Sequence, residues 1–309
     1  MAESKDMDKH NDWSLFQFFA RFPNDETARE HMERMRWPTG PICPDCGSVR
    51  WTHAKGHKTM PYRCKDCRNF FSVKKGTVFQ SANLGYQKCL LAIHLLTTSK
   101  KGIPSTLFAE RLDTTQTTAW RLAHKIRATM QQGSDPLSGD IEADETYLGG
   151  KEKNKHASKR THQGRGPVGK QAVLGVRERD GAVRAAPVEV VNAVSVQHNL
   201  IENVSAGSVV NTDEARVYQG IPYEHRTVSH SAGQYVNDMA HTNGIESFWA
   251  LVKRGYIGTH HWWSIKHTQR YVDEFATRFN MRKLDSERKL NLCLAGAEGI
   301  RLTCKELTA

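Results

Sequence analysis

The sequence predicts a multidomain α+β protein in which a small cysteine-built module and a helical unit precede a domain with a mixed sheet. Three observations carry that reading. Four of the seven cysteines fall in two close pairs. The stretch from Tyr86 to Met130 spaces its apolar residues as helices do. Beyond a linker of Gly, Ser and Pro at residues 131–139, the pattern changes to short alternating strands separated by turns.

The 309 residues carry 44 Lys and Arg against 33 Asp and Glu, a formal charge of +11 that favours a polyanionic partner such as nucleic acid. The longest apolar run, Cys89 to Leu96, is eight residues long and already contains His94, so no membrane-spanning segment is expected. The charged N-terminus lacks the apolar core of a secretory signal. A reducing cytoplasm is the expected location, which favours metal-bound thiols over disulfides.

Residues 1–40 read as an N-terminal helical segment. Phe16, Phe18 and Phe19 precede a break at Pro23, and Asn24 or Asp25 can cap a second helix carrying Ala28, Met32 and Met35. Residues 41–80 read as a zinc ribbon. Cys43 and Cys46, then Cys64 and Cys67, form two C-x2-C knuckles separated by 17 residues, a spacing that offers four thiolates to one tetrahedral Zn²⁺. Four thiolates leave no open position, so this zinc is structural. Basic residues surround the knuckles, and Tyr62, Phe70 and Phe71 are the expected filling of the ribbon. The isolated Cys89, Cys293 and Cys304 read as buried thiols.

Residues 84–132 read as a helix-turn-helix-like DNA-binding region. Leu107, Phe108 and Leu112 mark a short helix, Asp113-Thr114 a turn, and Thr115 the cap of a second helix with Ala119, Leu122, Ala123, Ile126 and Met130 inward. Gln116, Thr117, Arg121, His124, Lys125 and Arg127 form its expected outward face, with Arg121 and Lys125 as DNA contacts.

Residues 138–285 supply the candidate chemistry, and 286–309 read as a C-terminal tail. Asp144 ends a strand begun at Ile141, and Asp213 ends another begun at Val209, so adjacent parallel strands would bring the two carboxylates side by side. Ala172–Arg177 and Val183–Val191 form a hairpin across Arg179-Asp180-Gly181, followed by a helix near 196–204. Glu246 lies 33 positions after Asp213 on a helix expected over His241–Tyr256, with Lys253 seven residues further on, within about 20° of the same helix face. A second helix follows over Ser264–Arg282. Three carboxylates suit Mg²⁺ or Mn²⁺ and a two-metal displacement at phosphorus. The order strand-Asp, hairpin, helix, strand-Asp, helix-Glu is that of a ribonuclease H-like domain. Residues 149–170, with seven Lys or Arg against one Glu, read as a mobile inserted loop. The aromatics of His260-His261-Trp262-Trp263 lead into a helix with Tyr271 and Phe275 and point to core.

Three strings share a resemblance: Asp144-Glu145-Thr146-Tyr147-Leu148-Gly149-Gly150-Lys151, Asn211-Thr212-Asp213-Glu214, and His241-Thr242-Asn243-Gly244-Ile245-Glu246-Ser247-Phe248-Trp249 through Lys253-Arg254-Gly255. With CPDCG at 43–47, YRCKDCRNFFSVKKGTVF at 62–79 and LLTTSKKGI at 95–103, they resemble the ISXO-like insertion-sequence transposases. The resemblance implies a DDE-type ribonuclease H fold that cuts transposon ends and joins the freed 3′-hydroxyls to target DNA. It also implies a homodimer or larger assembly on double-stranded DNA in a prokaryotic nucleoid. Asp144, Asp213 and Glu246 would hold the metal, with Asn243, Lys253 and Arg254 beside them. Family members emphasise either Asn or Glu as the third position, and this chain has both Asn243 and Glu246. The alternatives are a DNA-binding regulator with a silent transposase-derived domain and a nuclease without strand transfer.

Overall fold

The computed structural model describes residues 12–57, 59–150, 156–160, 167–228 and 242–308. The chain divides into two units, Met1–Gln131 with Met281–Ala309, and Gln132–Asn280.

In the first unit, α1 (Leu15–Arg21) starts at a capping box between Ser14 and Gln17, and α2 (Asp25–Arg36) starts where the Asn24 side chain accepts from the Thr27 N–H. The strands β1 (Trp51–His53), β2 (Tyr62–Cys64) and β3 (Phe70–Phe71) form a small antiparallel sheet. Tyr62 and Phe71 fill it, whereas Phe70 is 38% exposed. Helix α3 (Tyr86–Thr98) is buried at every position from Cys89 to Thr97, as its apolar run requires. Then come α4 (Ser105–Arg111) and α5 (Gln116–Arg127), with Asp113 at φ 45 in the turn and the Thr115 side chain accepting from the Thr118 N–H.

Residues 286–309, expected as a tail, contain α9 (Ser286–Ala295) and α10 (Cys304–Thr308) and belong to the N-terminal unit. His31 bonds Asn291 at 2.9 Å, Arg36 pairs with Glu298 at 3.0 Å, and Leu290 and Cys293 join the core around α3. Leu290, Cys293, Leu294 and Ala297 recur at i, i+3, i+4 and i+7, but the same buried face begins with the polar Ser286 and Lys289, which shortens the apolar stripe in the sequence. A second signal was the cap, where Asp285 accepts from the Arg288 N–H. Cys304 is exposed on the short α10, against the expectation of a buried thiol.

The second unit is built on a five-stranded mixed sheet in the order β6-β5-β4-β7-β8. Antiparallel β4 (Asp140–Leu148), β5 (Gln171–Glu178) and β6 (Val183–Val188) meet β7 (Val209–Asp213) and β8 (Glu224–Val228), which run parallel to β4. Helix α6 (Ala193–Asn203) covers one face through Val196 and Leu200 on Ile141, Ala143 and Val210. The other face carries α7 (Asn243–Gly255) and α8 (Thr268–Asn280), through Ile245, Phe248, Trp249, Val272 and Phe275. Strand β8 was not expected, because Glu224-His225-Arg226-Thr227-Val228 is polar; it is an edge strand, where charges protect unpaired backbone. The helix expected from Ser264 starts at Thr268, after a π-helical turn at Tyr256–His260 and a 3-10 turn at Ile265–His267. Of the expected mobile loop, residues 151–155 and 161–166 lie outside the described residues, as does His241. Among the described residues, no helix is long and apolar enough to cross a membrane.

Candidate active site and metal centre

Two tight turns build the cysteine site. Each knuckle closes with a backbone bond across it, Cys43 N–H to the Ser48 carbonyl and Cys64 N–H to the Asn69 carbonyl, both 2.9 Å. The residue after each second cysteine, Gly47 at φ 73 and Arg68 at φ 64, is in the left-handed region that the turn demands. The four sulfurs lie within 4.8 Å of one another, with Cys43–Cys67 and Cys46–Cys64 both at 3.6 Å. A tetrahedron with metal–sulfur bonds of about 2.3 Å has an edge of about 3.8 Å, whereas a disulfide would need about 2.05 Å. The sulfurs therefore fit one tetrahedral zinc. The Cys67 N–H pulls the Cys64 thiol down to about 6, with the Asp66 N–H acting in the same sense, whereas Cys46 and Cys67 are pushed up, as expected where sulfurs crowd together.

The carboxylates come from three separate elements. The parallel register of β4 on β7 pairs Glu142 with Asn211, and two residues further along each strand stand Asp144 and Asp213. Strand β4 does not end at Asp144, as the sequence suggested; it runs to Leu148 paired with β5 alone, so the ladder to β7 opens beside the two aspartates. Asp144 faces α7, since its partner on β5 is Gly175, where a Cβ would run into the indole of Trp249 and the side chain of Ile245. Burial, joined by the negative charges of Glu145, Asp213 and Glu246, raises the Asp144 carboxyl to about 7 against the lowering effect of the Glu145 N–H. The structure thus brings Asp144, Asp213 and Glu246 into one electrostatic neighbourhood. Each is tied to a local donor: Asp144 to the Glu145 N–H at 2.8 Å, Asp213 to the Ala215 N–H at 3.0 Å, and Glu246 to the Thr242 hydroxyl at 3.0 Å. Among the described residues, the four cysteines are the one group of three or more His, Cys, Asp or Glu gathered closely enough to hold a metal ion as they stand. Asn243 is exposed at the first turn of α7, and Lys253 and Arg254 are exposed in its last turn.

With this geometry in place, comparison with known proteins is informative. Residues 136–280 match the ISXO2-like transposase domain, and residues 23–69 match the transposase zinc-ribbon domain. The chain thus carries an ISXO2-like transposase domain and a transposase zinc-ribbon domain. One relative is an uncharacterised protein in the transposable element ISH50 of Halobacterium salinarum, 26% identical over 275 residues that cover 83% of this chain and 91% of that protein. Among solved structures, a simian T-cell lymphotropic virus intasome in complex with a PP2A regulatory subunit aligns at 14% identity and a TM-score of 0.26, covering 56% of this chain and 61% of that one. A pre-cleavage Mos1 transpososome aligns at 12% identity and a TM-score of 0.25, covering 67% and 78%. Superpositions this loose carry no argument about the present chain.

In this ISXO2-like chain, sequence reasoning missed the residues that seat α7. Glu142, 1% exposed, accepts the Ile245 N–H at 2.7 Å and faces Arg177 at 3.8 Å. It thereby caps α7, whose own N-cap Thr242 makes no side-chain cap bond. Gly244 leaves the space, since a Cβ there would overlap the Arg177 guanidinium and crowd Glu142. The available signal was parity: Glu142 and Asp144 share one face of β4. Glu145, on the opposite face, accepts from the buried Tyr218 hydroxyl at 2.8 Å. The α5 face also differs from expectation. Arg121 is exposed, but His124 and Arg127 are buried, and Lys125 is half-buried with its ammonium donating to the Gln80 carbonyl at 2.9 Å.

Proposed function

We propose that the chain is the DNA transposase of an insertion sequence, which binds the element's ends, cleaves there and joins the 3′-hydroxyls to target DNA. The observation that carries this reading is the parallel β4/β7 register. It sets Asp144 and Asp213 at equivalent positions on neighbouring strands, with Asp213 and Glu246 both close enough for their charges to act on Asp144. The strand and helix order of residues 138–285 supports a ribonuclease H-like catalytic domain. Residues 41–80 act as its zinc ribbon and 84–132 as a helix-turn-helix-like reader of double-stranded DNA, with Arg121 as its base contact.

The donor set fits a hard dication. Three carboxylates offer oxygen ligands, and burial, with the neighbouring negative charges, keeps a proton on Asp144 up to about pH 7. We assign Asp144, Asp213 and Glu246 as ligands of Mg²⁺ or Mn²⁺, and Cys43, Cys46, Cys64 and Cys67 as ligands of Zn²⁺. Bound at the carboxylates, a divalent ion would supply positive charge where the phosphodiester gains negative charge. Cleavage requires a water oxygen to bond to phosphorus while the bond to the 3′-oxygen breaks and that oxygen takes up a proton. Joining repeats the exchange, with the 3′-hydroxyl as attacking group. Lys253 and Arg254, exposed at the end of the helix that carries Glu246, are assigned to the DNA phosphates, and Asn243 to orienting a ligand or water. Because two ends must be handled together, the working unit is a homodimer or larger.

Purified protein incubated with Mg²⁺ and linear DNA bearing the element's ends tests the reading, scored for nicking and for joining. Asp144→Asn, Asp213→Asn and Glu246→Gln should each abolish both activities and leave end-binding within about twofold, while Asn243→Ala only slows them. An active Glu246→Gln protein beside an inactive Asn243→Ala protein would move the third position to Asn243. Sequence-specific binding with no cleavage under any divalent ion would instead favour a DNA-binding regulator.

A further inference from the structure

The sequence His260-His261-Trp262-Trp263 divides in the structure into a buried half and an exposed half. Trp263 is 5% exposed and lies flat on Tyr271, with ring centroids 4.4 Å apart at 9°, while Tyr256 meets its edge at 4.5 Å. Trp262, next along the chain, is 68% exposed and is flanked by Ile257 at 67% and Ile265 at 68%. An isolated exposed side chain needs no explanation, but here three large ones fall on a single ten-residue loop. The backbone that presents them is unusual. The loop opens with the π-helical turn Tyr256–His260, and His261 then takes φ 59, a left-handed conformation rare for a residue with a side chain. The Trp262 N–H to His260 carbonyl bond at 2.6 Å and the contact of the His261 ring with the Ile257 carbonyl at 3.0 Å hold that shape.

The charge around these side chains identifies their partner. From Ser247 to Val272 the chain has no Asp or Glu and four Lys or Arg, among them the exposed Lys253, Arg254 and Lys266. A protein partner matched to an apolar surface would not select 26 residues free of acids in a chain that has 33. A polyanion with apolar faces would, and nucleic acid offers both phosphates and base planes.

We propose that the loop 256–265 is a DNA-docking element on which Trp262 stacks against an unpaired base, while the cations beside it hold the adjoining phosphates. The proposal rests on the DNA reading above and adds to it a contact with a base face, which in intact duplex is covered by its neighbours.

The test uses the full chain without divalent metal, so that it does not depend on cleavage. The probes are a blunt duplex and the same duplex ending in a single-stranded overhang that carries the fluorescent base 2-aminopurine. Wild-type protein should prefer the overhang probe and quench its fluorescence. Trp262→Ala should weaken overhang binding by about 5- to 150-fold, the range expected on removing one base–aromatic stack, with little change for blunt duplex. Trp262→Phe should restore most of the quenching, and both variants should melt with wild type because the indole is exposed. Equal affinity of wild type and Trp262→Ala for the overhang, or quenching that survives the substitution, would overturn the proposal. A change of oligomeric state in Trp262→Ala with the overhang preference intact would also overturn it, and would assign these side chains to a second copy of the chain. If neither probe binds to wild type, the DNA reading itself fails and this inference with it.

Discussion

The cysteine site and the carboxylate site are both sets of ligand-type side chains, yet they are assembled in opposite ways. In the ribbon, two short turns carry all four sulfurs, the backbone closes each turn, and the sulfurs already stand at a tetrahedral edge length. The three acids come from β4, β7 and α7 and are each tethered to a nearby hydrogen-bond donor, and burial, with the charges of its acidic neighbours, holds a proton on Asp144. A site whose ligands are local is made by its own fold and holds that fold together. A site whose ligands are distant in sequence is made by the packing of other elements, and it stores unfavourable charge that a cation can relieve.

Four measurements break or sharpen that contrast. The largest effect is expected in the ribbon: Cys64→Ser should release zinc and unfold residues 41–80, since structural zinc supplies about 10–16 kcal/mol to isolated finger peptides. Elemental analysis with limited proteolysis checks it, and unchanged zinc content would remove the assignment.

Next in size is the seat of α7. Glu142→Ala leaves Arg177 without its buried partner and the Ile245 N–H without an acceptor, at a cost of about 3 kcal/mol. Glu142→Gln keeps the acceptor and should lose less in a urea titration.

Asp144→Asn reverses the sign. The folded carboxyl near 7 lies above its ordinary 3.8, so between those values the folded chain holds a proton that the unfolded chain has released. Stability of the metal-free protein should therefore fall as pH rises from about 4 to about 7, and Asp144→Asn should be more stable than wild type at pH 8 by ~1–2 kcal/mol. Mn²⁺ should close that gap by stabilising wild type alone. A destabilised Asp144→Asn protein would show that the carboxylate is a structural group.

The smallest effect is on α5, where Arg121→Ala should reduce discrimination among DNA sequences by about 1 kcal/mol. Lys125→Ala should act on stability instead, because its ammonium is committed to the Gln80 carbonyl. Equal weakening of all sequences by Arg121→Ala would reassign that side chain to a phosphate.

Elements with their own local signals were legible in the sequence. The knuckles, the Asn24 and Thr115 caps, the left-handed Asp113 turn and the strands carrying Asp144 and Asp213 all follow from short-range chemistry. What was not legible depends on partners far away in the chain. Glu142 looked like one acid among many until the Ile245 N–H, 103 residues later, gave it a role. Lys125, His124 and Arg127 follow an amphipathic helix on paper, but their surroundings in the N-terminal unit remove them from the outer face. Trp262 and Trp263 are adjacent and chemically identical, and only the Tyr271 ring beneath one of them decides which is core.

The return of residues 281–309 to the N-terminal unit bears on how this chain comes off the ribosome. Helix α9 packs against α2 and α3, and Lys289 pairs with Asp12 at 2.6 Å, so the first unit lacks part of its core until residues 281–309 have been synthesised. The Gln132–Asn280 unit has no such debt, since its strands and covering helices are contiguous in sequence, and it can fold while the ribbon-bearing unit is still open. Chains interrupted before Ser286 would thus carry a finished carboxylate domain on an unfinished N-terminal half, which ties the maturation of that half to synthesis of a segment that lies beyond the whole Gln132–Asn280 unit.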